Sequence, residues 1–100
     1  MFGTIGHARL KSGRSRAELD ALGDEWMRTI RPQIPGPFLQ LVGNQDGDPN
    51  ALVFVALAQD KATYQNLANL PAQDEWYRKM IELFDGDVQW DDVEMDQVES

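Results

Sequence analysis

Side chains suited to acid–base, nucleophilic or metal chemistry are few in this sequence. It has one histidine, His7, and no cysteine among its 100 residues. Without cysteine there is no disulfide, no thiolate zinc site and no thiol nucleophile. A histidine with no second histidine is also a poor metal site. Alternation places His7 opposite Gly6 and Ala8 on a predicted strand, and we expect a structural hydrogen bond or a response to interface charge there rather than base catalysis.

A second candidate for chemistry is the polar run "GNQDGDPN". Its side-chain oxygens recur every second residue, as at the start of a calcium loop: Asn44, Asp46, Asp48 and Asn50. An EF-hand also needs a glutamate at its twelfth position, where this chain has Val55. The run is dense in turn-forming residues, and we interpret it as the connection of a β-hairpin with no metal site.

Charge and length limit the classes of protein that fit. The net charge is −8, and 42% of the residues are hydrophobic. An acidic chain without a basic stripe is a poor nucleic-acid binder, and no segment approaches the length of a membrane span. We expect a cytoplasmic protein with one domain over residues 1–95 and an acidic C-terminal tail over 96–100. The tail is expected to be a frayed end, or alternatively a contact for a partner protein.

Four segments are predicted to be strands. They cover residues 2–11, 38–42, 51–58 and 88–95, and each alternates or is rich in β-branched and aromatic residues. The pattern of the third strand is apolar on both sides, and the second strand repeats this. Strands of that kind need cover on both faces of the sheet. With helices available for one face, a second copy of the chain is expected on the other, in an isologous homodimer.

Two helical regions separate these strands. The first follows "SRAE", a capping box in which Ser15 and Glu18 cap each other, and it carries an apolar stripe of Leu19, Leu22, Trp26 and Ile30. The second begins at Asp60, breaks near Pro71 and resumes through "DEWYRKMIELF". The order is strand, helix, strand, strand, helix, strand. This predicts an α+β, ferredoxin-like βαββαβ fold with an antiparallel sheet.

Small strand residues predict a cavity between the sheet and the helices. Those expected to leave space there are Thr4, Gly6, Ala56 and Ala58. Three tryptophans, Trp26, Trp76 and Trp90, could form its wall, although apolar residues at helical spacing are also typical of ordinary core. The expected pocket is hydrophobic with few polar groups.

The chain resembles the dimeric α/β-barrel superfamily in the order of its elements and in three segments. These are "KSG" after the first strand, "IPGPF" before the second and "AQDKATYQNLANLPAQDEWYRKM" after the third. The resemblance is greatest to its antibiotic-biosynthesis-monooxygenase-like domains, and it covers roughly residues 2 to 95. It implies that two sheets close into a dimeric α/β barrel and that each subunit has its own cavity.

The functional positions of that family are only partly present. Where members often have a tryptophan after the third strand, this chain has Ala58, Gln59 and Asp60, and their later histidine falls at Leu67 or Ala68. The haem-degrading branch also uses an asparagine in the first strand, and this chain has Gly6 near that position instead. Because all three residues of that branch are missing, haem degradation is not expected. The branch that oxidises polycyclic phenols is matched by Tyr64 and Arg78, although its strand asparagine is replaced by Phe54.

The resemblance therefore implies a cofactor-independent monooxygenase acting on a hydrophobic aromatic molecule of the polycyclic phenol type. Tyr64 would handle the substrate or a proton, and Arg78 would stabilise charge. The pocket would be formed by Trp26, Phe54, Leu67 and Trp76. The alternative is a non-catalytic homodimeric domain that binds a small molecule or a partner. In that case Tyr64 is an ordinary helix residue, and Arg78 pairs with a carboxylate such as Glu75 or Glu82.

Overall fold

The computed structural model describes residues 1–99 and confirms the α+β, ferredoxin-like arrangement. The strands are β1 (Phe2–Arg9), β2 (Phe38–Gln45), β3 (Asp48–Ala58) and β4 (Gln89–Glu94). The helices are α1 (Arg16–Thr29), α2 (Lys61–Ala68) and α3 (Pro71–Ile81), with a short 3-10 turn at Arg31–Gln33. Of the predicted tail, residues 96–99 have no regular secondary structure. Ser100 lies outside the described residues.

The four strands form one antiparallel sheet in the order β2-β3-β1-β4. The β2–β3 hairpin differs from its prediction, because most of "GNQDGDPN" belongs to the strands. Gln45 pairs with Asp48, so the turn is Asp46–Gly47, and Gly47 has a φ of 80°. Glycine adopts such a positive φ without the steric cost that another residue would have, which permits the tight turn. No group of three or more potential metal ligands occurs in the described part of the chain.

Local signals set the helix boundaries. At the start of α1 the amide of Ser15 donates to the carboxylate of Glu18 at 2.9 Å. The carboxylate of Asp60 accepts from the amide of Thr63 at 2.8 Å and caps α2. Pro71 then stands in the first turn of α3, where its missing N–H costs no helical hydrogen bond. The predicted second helix is thus two helices. Within residues 1–99, no helix is long and apolar enough to cross a membrane.

The sheet register separates two faces. Thr4 pairs with Ala56, and Gly6 pairs with Phe54 on one side and Trp90 on the other, so these residues share one face. That face meets the helices, and the core between them is formed by apolar residues of both layers, including Leu19, Trp26, Ile30, Leu52, Phe54, Leu67, Trp76 and Met80.

The other face carries the second apolar set that the sequence predicts. Leu39 and Leu41 of β2 point to it and are 42% and 55% exposed. Ile5, Val53 and Val55 lie on the same face and are half-buried. Both faces of the central strands are thus apolar, and this one is partly open to solvent, although Leu57 on it is buried.

Candidate functional site

A cavity of about 700 Å³ lies between the helices and the sheet. It exists because the helices approach the sheet unequally. Cα atoms of α2 come within 8 Å of β1 and β3, whereas in residues 1–99 no Cα atom of α1 or α3 comes that close to a strand. The volume lies within the range of sites that enclose drug-sized molecules.

The floor of the cavity agrees in part with the small residues predicted to form it. Thr4 and Ala56 line it. Ala58 is fully buried and does not. Gly6 leaves no free space either, because the indole ring of Trp90 lies where a Cβ at position 6 would be. The prediction that Gly6 and Ala58 leave open space in the cavity is therefore wrong.

The walls are aromatic and apolar. All four residues predicted for the pocket line it: Trp26, Phe54, Leu67 and Trp76. Trp26 and Trp76 also belong to the core, so core and cavity wall are the same residues here. Phe54 packs between Phe84 and Trp90, with ring centroids 5.8 and 5.9 Å away. This part of the wall is therefore built of aromatic rings packed on one another.

The indole N–H groups of the cavity are all engaged within the protein. Trp76 donates to the carbonyl oxygen of Leu22 at 2.7 Å. Trp26 donates to the side-chain oxygen of Gln73 at 2.8 Å, and Trp90 donates to the hydroxyl oxygen of Tyr77 at 2.6 Å. None of the three indole N–H groups is therefore free to donate to a bound molecule.

Tyr64 is half-buried on the cavity wall, where its ring meets Phe2 edge-on. Its hydroxyl donates to a carboxylate oxygen of Asp92 at 3.1 Å. Burial raises the pKa of Tyr64 above its ordinary value of 10.0, and the negative charge of Asp92 and the hydrogen bond to it raise it further. Tyr64 is thus a neutral phenol at physiological pH.

Arg78 is not brought to the cavity. It is exposed on α3 and pairs with Asp74 at 3.0 Å, rather than with Glu75 or Glu82. Asp74 itself lines the cavity, as do Asp20 and Asp24. Among the described residues the lining contains no lysine or arginine. A direct contact between Arg78 and a molecule in the cavity is therefore not part of this geometry.

His7 lies away from the cavity. It is exposed, and its pairing with Val53 and Gln89 places it on the open face of the sheet. This is the side that the alternation of β1 predicts. The position is consistent with a role at an interface and inconsistent with contact to a molecule in the cavity.

Three polar residues at the site escape prediction from sequence. Asp92 lies in an acidic segment and gives no local sign that it contacts Tyr64. Tyr77 counts as part of an apolar stripe of α3, and Gln73 is a helix residue like many others. The spacing of Gln73 and Tyr77, one helical turn apart, is a signal that would have placed them on one face.

No protein-family model matches the sequence, and a search of curated proteins finds no match. Solved structures do match. A variant of SnoaB, a cofactor-independent oxygenase from Streptomyces nogalater, superposes with a TM-score of 0.78 at 12% identity over 97% of this chain and 94% of its own. Rv0793 from Mycobacterium tuberculosis gives a TM-score of 0.74 at 16% identity, covering 98% of each chain.

A third match is a protein named as a candidate antibiotic biosynthesis monooxygenase from Caulobacter crescentus. Its TM-score is 0.77 at 9% identity, over 96% of this chain and 90% of its own. Likeness at such low identity establishes the fold. The chain has the fold of the antibiotic biosynthesis monooxygenase-like domains, as the sequence resemblance predicts.

Proposed function

We propose that this protein is a cofactor-independent monooxygenase that acts on a hydrophobic aromatic molecule of the polycyclic phenol type. The observation that carries the proposal is the connection from the cavity to solvent through Tyr64. Tyr64 lines the aromatic cavity, and its hydroxyl donates to Asp92, an exposed carboxylate. The shared fold with SnoaB, itself a cofactor-independent oxygenase, supports the same reaction class.

The proposed reaction begins with loss of a proton from the phenol. The resulting carbanion or phenolate transfers an electron to O2, and the two radicals combine to form a carbon–oxygen bond. The peroxide anion formed in this way takes up a proton from solvent, and loss of water then leaves a quinone, so one oxygen atom enters the product and the other leaves in water. The protein has to supply a dry cavity, a route for the proton and hydrogen bonds to the developing negative charge.

Tyr64 is suited to transfer this proton. It is not a phenolate base, because its raised pKa keeps it protonated. However, its oxygen keeps a lone pair, and its own proton is already directed to Asp92. The substrate proton can therefore pass to Tyr64 as the proton of Tyr64 passes to Asp92 and from there to water. Thr4, which also lines the cavity, donates to the carbonyl oxygen of Asp91 at 3.2 Å beside this pair.

The lining of the cavity also favours the class of substrate. Its surface is mainly apolar, and its charged groups are the carboxylates of Asp20, Asp24 and Asp74. An anionic molecule would be repelled by them on entry, whereas a neutral phenol would not. The proton is therefore lost after binding in this mechanism.

The proposal includes a homodimer formed through the open face of the sheet. The exposed apolar side chains of Leu39 and Leu41 support it, because a strand face of this composition is normally covered. A two-fold contact would cover both copies with the same residues. We place the protein in the cytoplasm as the default location.

A non-catalytic domain that binds a small molecule is the second candidate. Arg78 is exposed outside the cavity, and the family's tryptophan and histidine positions hold Ala58 and Leu67 or Ala68. These departures favour binding without oxidation. The two candidates share the cavity and differ in whether oxygen is consumed.

The experiment that separates them uses dithranol, a hydroxylated three-ring anthrone, as substrate. Oxygen uptake and quinone absorbance are followed above the rate without protein, and binding is measured separately by quenching of tryptophan fluorescence. We expect Tyr64→Phe to lower kcat about a hundredfold while binding changes little. Gln65→Leu, an exposed change on the same helix, is the matched control.

Each outcome is decisive for the proposal. Oxidation that depends on Tyr64 supports the monooxygenase. Binding by the wild type without oxygen uptake supports the binding domain. Oxidation that is equally fast with Tyr64→Phe contradicts the assignment of Tyr64.

A further inference from the structure

Two side chains on α3 present unused hydrogen-bond donors at the cavity. Gln73 and Tyr77 are one helical turn apart and both line it. Residues four apart on a helix lie on the same face, with Cβ atoms about 5–6 Å from each other. The two polar groups are thus neighbours on one wall.

Each of these groups is oriented by a tryptophan. An indole N–H donates and cannot accept, so the atom of Gln73 that meets Trp26 at 2.8 Å is its carbonyl oxygen. The NH2 group of Gln73 therefore points elsewhere. The hydroxyl oxygen of Tyr77 accepts from Trp90 at 2.6 Å in the same way, so the hydroxyl proton is left over.

Neither donor is used inside the protein. Within residues 1–99, the NH2 group of Gln73 and the hydroxyl proton of Tyr77 form no hydrogen bond to another residue. Accepting a hydrogen bond polarises a hydroxyl group and makes it a better donor. A partly enclosed apolar cavity also strengthens such donors relative to water.

We propose that Gln73 and Tyr77 form a paired hydrogen-bond donor site for an oxygen atom of the bound molecule, a carbonyl or a phenolate. The inference deepens the proposed function, on which it rests for the aromatic nature of the ligand. The cavity lining has no cation among the described residues, and these two neutral donors then take the place of one. They hold the ligand oxygen and stabilise negative charge that develops on it.

The test compares binding of two uncharged three-ring probes, fluorenone and fluorene, by equilibrium dialysis. The molecules have nearly the same shape, but fluorenone carries a carbonyl oxygen and fluorene does not. Neither is a phenol, so the result does not depend on oxygenase activity. The measured quantity is the affinity ratio of fluorenone to fluorene in each variant, which cancels general changes in packing.

Tyr77→Phe removes one donor. Gln73→Glu removes the other and keeps an oxygen for Trp26, and it is measured at mildly alkaline pH so that the carboxylate is ionised. We expect each change to lower the affinity ratio about threefold or more. Fluorene binding should change less than fluorenone binding. Gln65→Glu, the same replacement at an exposed site on α2, should leave the ratio unchanged.

If Tyr77→Phe or Gln73→Glu fails to fold, a third variant still tests the inference. Trp90→Phe keeps the hydroxyl of Tyr77 but removes the indole N–H that holds it, and it should lower the ratio as well. A ratio that stays at the wild-type value in folded Tyr77→Phe and Gln73→Glu overturns the inference, as does a wild type that binds neither probe. A wild type that prefers fluorenone to fluorene but does not oxidise dithranol would overturn the proposed function and leave the donor site standing.

Discussion

The indole ring of Trp90 lies directly over Gly6 on the neighbouring strand, in the position that a Cβ atom would occupy. The missing side chain of Gly6 is therefore what allows Trp90 to lie flat against the sheet. From there its N–H reaches Tyr77 on α3. A glycine in β1 thus makes room for the indole that donates to a hydroxyl group of the helix layer.

Gly6→Ala is expected to destabilise the protein by about 1–3 kcal/mol, because the added methyl group overpacks against the ring of Trp90. The free energy of unfolding from urea denaturation measures this. Gly23→Ala is the control, since a Cβ there meets no atom within 4 Å and alanine is the better helix former. It should stabilise by about 0.5–1 kcal/mol. Equal effects of the two substitutions would contradict the packing of Trp90 on Gly6.

A second prediction concerns acid stability. The hydrogen bonds from the backbone and then the side chain of Thr63 lower the pKa of Asp60 below its ordinary value of 3.8. A carboxylate with a lowered pKa in the folded state stabilises the fold above that ordinary value, and its contribution is lost as the pH falls through the folded pKa. Asp60→Asn keeps an oxygen that can cap α2 but does not titrate.

The measurement is the free energy of unfolding of both proteins over a pH series. The difference between the wild type and Asp60→Asn should be constant at and above neutral pH and should shrink below pH 3.8. Glu18 and Asp48 also have lowered pKa values, but they are present in both proteins and cancel. Curves that stay parallel to the acid end would show that Asp60 is not the titrating cap.

A third prediction tests the open face of the sheet. Leu39→Glu places a charge on that face and should convert a dimer to a monomer of 11.3 kDa, as measured by native mass spectrometry. Ile81→Glu is the matched control, because Ile81 is 39% exposed and Leu39 is 42% exposed, but Ile81 lies on α3. A wild type that is monomeric at high concentration would contradict the dimer.

The elements of the fold are predictable because their signals are local. The Ser15–Glu18 pair, the Asp60 cap and Pro71 each act within one helical turn. The residue pattern of β3 is also a local signal, because it predicts that both faces of the sheet are apolar. The hairpin is less predictable. Asparagine is common in turns, but here Asn44 lies in β2 and Asn50 lies in β3.

The polar groups of the site are less predictable than its walls. Trp26 and Trp76 follow from helical spacing alone. The contacts of Tyr77 with Trp90 and of Tyr64 with Asp92 join a helix to an edge strand, and they depend on sheet register and helix rotation together. The same reason explains why the expectation for Arg78 is wrong. The resemblance places Arg78 at the site, but the rotation of α3 directs it to solvent.

A fourth prediction follows for Arg78. Arg78→Ala should change the rate of dithranol oxidation by no more than about twofold, because Arg78 does not line the cavity and its exposed pair with Asp74 contributes little to stability. Steady-state kinetics with the wild type alongside is the measurement. A loss of kcat as large as that expected for Tyr64→Phe would mean that the guanidinium reaches the substrate in the working enzyme.

The last prediction tests the contact between Tyr64 and Asp92 directly. Burial is the largest cause of the raised pKa of Tyr64, and the charge of Asp92 comes second. In Asp92→Asn the pKa of Tyr64 should therefore fall but stay above 10.0. Ultraviolet absorbance of the phenolate reports it, with Tyr77→Phe as the background because the chain has two tyrosines.

The same substitution should slow dithranol oxidation, since an amide in place of the carboxylate cannot take the proton of Tyr64. A lowered pKa together with a slower reaction fits a proton route from Tyr64 to Asp92. A lowered pKa with an unchanged rate would mean that Asp92 affects the charge of Tyr64 but does not receive its proton. An unchanged pKa would contradict the contact itself, because a negative charge 3.1 Å from a half-buried phenol must resist its ionisation.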